Sequence, residues 1–210
     1  MTTYQAYKKA IDAQKRLPEL EHLIMSNAEY ADYYARAVIQ GRWPEAESVI
    51  MQNAKHAYLY AKELIEGRWP EAEQIIMQDA AYAWRYAKDI IQGRWPEAEP
   101  NIMQDVSSSH FYARYVIKAR WFEAEPIIIE SVVYAFWYAK YVIKDRWLES
   151  EEKMIGTEMQ EDYIEHFFDE PVITKDQVDI VDWQRNKQVG YFAPASIFKD
   201  KVSLLDMVIE

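Results

Sequence analysis

The chain has no cysteine. That excludes disulfides, thiolate metal sites and a cysteine nucleophile, and it fits a reducing compartment. Only five glycines occur in 210 residues, and they form no glycine-rich phosphate loop. No apolar run approaches the roughly 20 residues that span a bilayer. The opening stretch MTTYQAYKKAIDAQK has no apolar signal core, so a soluble, cytoplasmic protein is expected. Positive charge is scarce: 24 Lys and Arg face 35 Asp and Glu, for a formal net charge of −11. An acidic surface repels nucleic acid and favours basic protein partners. Residues 151–210 alone carry −8 of the total.

What is abundant is repetition. GRWPEAE stands at 41–47, 67–73 and 93–99. The 26-residue step continues to RWFEAE at Arg120 and RWLESE at Arg146, and reaches back to RLPELE at Arg16. A fixed period of this size marks a repeat architecture. Pro70 suits the first position of a short helix running to about Gln78, with Glu71 and Glu73 in the positive first turn. Asp79 then caps a longer helix from Ala80 to Gln92, and Asn27, Asn53, Asp105, Ser131 and Thr157 are its equivalents. Gly41, Gly67 and Gly93 are read as left-handed helix ends. The stripe Ala83, Tyr86, Ala87, Ile90 and Ile91 predicts the buried face, repeated as Ser109, Tyr112, Ala113, Val116 and Ile117.

The expected fold is therefore all-α, an α-solenoid of stacked two-helix repeats. Residues 1–15 form an N-terminal capping helix. Five full repeats cover 16–145, and a degenerate sixth extends the repeat domain to 168, with Thr157 and Gln160 as a capping box. Residues 169–210 form an acidic C-terminal cap or small subdomain, α or α+β, with helices from Lys175 and Pro194 or strands at VDIVDW and KVSLLDMVIE.

Trp43, Trp69, Trp95, Trp121 and Trp147 share one repeat position, and Tyr34, Tyr60, Tyr86, Tyr112 and Tyr138 another; both sets are expected in the core. Helical spacing sends Tyr33, Leu59, Arg85, Phe111 and Trp137 to the opposite side, with Tyr115 and Tyr141 one turn further on. Phe111, Tyr115, Trp137 and Tyr141 would then make an outer aromatic patch, the candidate partner-binding surface together with Tyr33. Folding back of the tail over that patch is the competing reading.

Arg36, Lys62, Lys88, Arg114 and Lys140 recur in the second helices. They read as a ladder of salt bridges between repeats, or alternatively as a phosphate-binding ladder. The histidines (His22, His56, His110 and His166) occupy four different repeat positions, so no metal site is expected. Ser107-Ser108-Ser109-His110 sets a hydroxyl beside an imidazole, but helical neighbours point apart. No catalytic residue and no cofactor are expected.

The pattern RWPEAE…IIM…YAK over residues 16–156 resembles short helical repeats of bacteriophage proteins of unassigned function. The resemblance implies a viral protein in the host cytoplasm and no chemistry. The resulting expectation is a non-enzymatic repeat scaffold that inhibits a host protein. An anti-CRISPR or anti-restriction role would place the acidic segment 151–210 in a basic groove in place of nucleic acid. The alternatives are nucleic-acid or nucleotide binding through the basic ladder, and a structural or assembly role in a virion.

Overall fold

The computed structural model describes residues 1–167. The expected cap at 169–210 lies outside the described residues, which contain helices and no strand. Two compact units are present, 1–117 and 118 onward.

The first unit opens with α1 (Thr3–Ala13), closed at its start by a capping box between Thr2 and Gln5. Four repeats follow. Their first helices are α2 (Pro18–Ile24), α4 (Pro44–Ile50), α6 (Pro70–Ile76) and α8 (Glu99–Ile102). Their second helices are α3 (Ala28–Tyr34), α5 (Ala54–Tyr60), α7 (Ala80–Tyr86) and α9 (Val106–Tyr112). Successive second helices pack on one another, and each also touches the neighbouring first helix. The second unit holds α10 (Glu125–Ile128), α11 (Val132–Tyr138), α12 (Leu148–Met154) and α13 (Met159–Phe167). The fold is thus all-α and built of two-helix repeats, as the period predicts.

Proline starts the first helices as expected. A second proline shortens two of them. Pro100 and Pro126 have no N–H to give the carbonyl four residues back, so α8 and α10 begin only at Glu99 and Glu125. The caps at Asn27, Asn53, Asp79 and Asp105 form, each side chain accepting a free backbone N–H. Ser131 makes no such bond. Thr157 and Gln160 do not form the expected box: Thr157 donates to the Met154 carbonyl, and Gln160 accepts from the Gly156 N–H.

The second helices end differently from the expectation. Each full repeat widens into a five-residue π-helical turn: Ala35–Ile39, Ala61–Ile65, Ala87–Ile91, Ala113–Ile117 and Ala139–Ile143. The residue in the left-handed conformation is the one before the glycine: Gln40, Glu66 and Gln92, at φ 56° to 58°, then Lys118 and Lys144 at 59° and 60°. Gly41, Gly67 and Gly93 have ordinary φ, and a Cβ on any of them would meet nothing within 4 Å. This is why Ala119 and Asp145 serve at the same place. Ala83, Tyr86 and Ala87 are fully buried, whereas Ile90 and Ile91 are half-buried, because the wider turn carries them off the α-helical stripe.

Candidate functional site

The most regular feature is a polar node inside each repeat. Tyr86 donates its hydroxyl proton to Glu73 Oε1 at 3.0 Å and accepts the Trp69 backbone N–H at 2.6 Å. Arg68 grips the same carboxylate side-on, with Nε and one Nη each 2.8 Å from an oxygen. The set recurs as Arg16–Glu21–Tyr34, Arg42–Glu47–Tyr60, Arg94–Glu99–Tyr112, Arg120–Glu125–Tyr138 and Arg146–Glu151–Tyr163. The leading arginine therefore pairs within its own repeat, five residues on. The last node spans 12 residues from Glu to Tyr instead of 13, so the degenerate sixth repeat keeps the device after losing the rest of the pattern.

The electrostatics follow from this packing. Arg68 holds the Glu73 carboxyl below its ordinary range against the upward push of burial, with the Tyr86 hydroxyl assisting. Arg16 and Tyr34 do the same for Glu21. In Glu99 burial is the largest influence and acts upward, but Arg94 and Tyr112 together outweigh it. Burial pushes the Tyr60 phenol up to about 12 and Tyr86, Tyr112 and Tyr138 higher still. These groups are locked in one protonation state near neutrality, which suits a structural role. In the first unit Tyr34, Tyr60 and Tyr86 also pack on the next repeat's tryptophan (Trp43, Trp69 and Trp95), with ring centroids 5.0 to 5.2 Å apart.

A buried position that varies from repeat to repeat escaped the spacing argument. Asp32, Tyr58, Trp84, His110 and Phe136 stand one period apart and are all buried. In the first unit this row passes from polar to aromatic. Asp32 takes both ends of Arg36 and lies 2.8 Å from His56 Nδ1. Tyr58 donates to Asp89 at 2.6 Å. Trp84 lies against Phe111 and Tyr115, 5.3 and 6.3 Å away. At His110 burial lowers the imidazole to about 4, and Arg114 adds to the shift. Ser109 donates to the Ile102 carbonyl, so that serine is not aimed at the imidazole.

In the first unit Arg36, Lys62 and Lys88 form rungs to the next repeat, 27 residues on. Arg36 meets Glu63 at 3.1 Å, and Lys62 meets Asp89 at 2.7 Å. Burial alone would raise Asp89, yet Lys62 and Tyr58 bring it below its ordinary value. The third rung changes character: Lys88 stands 5.4 Å over the Tyr115 ring, which Arg114 also faces at 5.1 Å.

Of the predicted partner-binding residues, Tyr115 is 38% exposed, Trp137 37% and Tyr141 40%. Tyr33 and Phe111 are half-buried. Tyr33 packs edge-on against His56 at 5.6 Å with Arg36 over its ring. Phe111 and Tyr115 belong to the first unit, and Trp137 and Tyr141 to the second. In the second unit Trp137 meets Tyr134 edge-on at 5.7 Å, and Lys140 lies over Phe136 and Tyr141. An open depression beside it is lined by Phe136, Lys140, Asp162, Glu165 and His166. Among the described residues no three His, Asp or Glu side chains are placed to hold a metal, and no helix is long and apolar enough to cross a membrane.

No protein-family model, curated protein or solved structure matches the chain.

Proposed function

We propose that the protein is a non-enzymatic binding scaffold whose second-helix face contacts a partner protein. The observation that carries this is the division of labour between positions. The node residues are the same from repeat to repeat, while the adjoining positions change identity and leave Tyr115 exposed in the first unit and Trp137 and Tyr141 in the second. Exposed aromatic side chains beside charged ones are the usual anchors of a protein interface.

The bacteriophage resemblance makes the partner a host protein in the host cytoplasm and the role an inhibitor, with a CRISPR effector or restriction enzyme as target. The −8 charge of residues 151–210 supports a basic groove on that target. The phosphate-ladder alternative draws less support, since Arg36 and Lys62 already face carboxylates.

The test is a tagged pull-down from bacterial lysate at moderate salt, quantifying bound protein and bound nucleic acid. A stoichiometric protein, lost from a Phe111→Ser, Trp137→Ser double variant, is the expected result. Nucleic acid without protein would overturn the reading. Inhibition that survives removal of 169–210 would remove the acidic segment from the mechanism.

A further inference from the structure

In the first unit, two rungs join a base to a carboxylate and the third joins a base to a ring. The residues 27 positions after Arg36, Lys62 and Lys88 are Glu63, Asp89 and Tyr115. Asp89 lies 3.5 Å from Lys88, but it is already held by Lys62 at 2.7 Å and Tyr58 at 2.6 Å. One carboxylate is thus shared by two lysines. Arg85 adds a further positive charge, its guanidinium 4.7 Å over the Trp84 indole and one Nη donating to the Ala81 carbonyl. Around this excess of charge the rings lie nearly parallel: Tyr115 is inclined 20° to Phe111 and 23° to Trp84. Trp84 is 8% exposed and Tyr115 38%. The result is a short stack of rings that ends at the exposed Tyr115, with Lys88 and Arg114 over that ring and Arg85 over Trp84.

We propose that this cradle binds an acidic peptide segment of the partner, one that carries an aromatic residue flanked by Asp or Glu. Stacking on the Tyr115 end accounts for the ring, and Lys88 and Arg85 account for the carboxylates. A nucleic acid strand would also offer rings and negative charge, but it requires a continuous cationic track. Here the track is interrupted, because the preceding bases Arg36 and Lys62 are neutralised by Glu63 and Asp89. A polyanion would also meet the net charge of −11 over its whole length. A short segment meets only the local field. The proposal deepens the scaffold reading and rests on it.

The experiment titrates the full-length protein into fluorescein-labelled acetyl-Glu-Asp-Tyr-Asp-Glu-amide, followed by anisotropy at low salt. A parallel titration uses labelled oligothymidylate. Tyr115→Glu is the decisive variant, since it installs the carboxylate that the earlier rungs carry and so satisfies Lys88 internally. Lys88→Gln tests the same cradle if the first variant fails to fold by circular dichroism. The expected result is peptide binding that salt weakens and that either variant reduces by about tenfold or more, the size typical of a lost charged anchor. Peptide binding unchanged in both variants overturns the assignment. Oligothymidylate binding that exceeds peptide binding overturns it in favour of nucleic acid. No peptide binding, with a partner still captured from lysate, sinks the peptide chemistry alone. Loss of both sinks the scaffold reading as well.

Discussion

Tyr86 performs three tasks with one side chain. Its ring fills the space beside Trp95, its oxygen accepts the Trp69 N–H, and its proton goes to Glu73. Tyr86→Phe keeps the packing and leaves the buried Trp69 N–H without an acceptor. The expected cost is about 1–3 kcal/mol, the usual penalty for stranding a buried polar group, read as a lower urea midpoint with unchanged slope. Two further effects set the pH dependence. The depressed carboxyls of Glu21, Glu73 and Glu99 contribute stability above the ordinary Glu range, and it is lost as the pH falls through their folded-state values. His110 acts at higher pH. Its folded value of about 4 lies below its ordinary 6.5, so the unfolded chain binds the extra proton across that window and stability falls as pH drops through it. His110→Phe, which installs the residue type found at Phe136, should flatten the slope between those two values in a pH series of thermal melts.

At the scale of the element, the turn between helices is the informative part. Gln92 holds φ 58°, a conformation that costs a non-glycine residue about 1 kcal/mol. Gln92→Gly should therefore stabilise by a few tenths to about 1 kcal/mol, whereas Gly93→Ala should be neutral or slightly stabilising, because its Cβ meets nothing. The reverse ranking in thermal melts would place the left-handed residue at the glycine after all. Pro100→Ala should let α8 start at Pro96, as the equivalent α6 starts at Pro70, and amide exchange across 97–100 would slow accordingly.

These cases separate what the sequence discloses from what it hides. Proline at N1, the Asn and Asp caps and the buried tryptophans are local signals, and the repeats follow them except at Pro96, where the helix starts late, and at Ser131 and Thr157, where the expected caps do not form. The π-helical turn was hidden because a one-residue widening leaves the apolar pattern intact while moving the strained φ back from glycine by one place. The node was hidden because its partners lie 13 and 17 residues apart and meet only after the helices pack. Its sequence signal was the constant Glu-to-Tyr spacing, which reads equally well as a core tyrosine and an exposed acid. Counting one stripe per helix placed Tyr115, Trp137 and Tyr141 on the exposed side, where they are, and overlooked the buried Trp84, which sits a residue away from the expected row.

At the scale of the whole molecule, the repeats of the first unit set the rule: each of their second helices packs chiefly on its nearest neighbours. Stability in such an array is approximately a sum of repeat and interface terms. Deleting residues 68–93 removes one whole period and joins Glu66-Gly67 to an Arg94 that follows Gly93 in the parent. The shortened chain should fold, with a urea slope reduced in proportion to the lost surface. Non-cooperative unfolding or aggregation would show that the repeats are not interchangeable. The deletion also sets Lys62 opposite Tyr115, so the acidic peptide should still find a lysine beside the ring.

The constancy of the Arg–Glu–Tyr node has a genetic consequence. Because each node closes within its own 26 residues, a crossover between any two misaligned copies of the coding segment yields another intact chain, longer or shorter by whole units. Such exchanges change which of the Asp, Tyr, Trp, His and Phe of the variable row adjoin, while keeping every Arg–Glu–Tyr node. If the protein binds a partner as proposed, recombination would vary its surface by whole units, faster than point mutation.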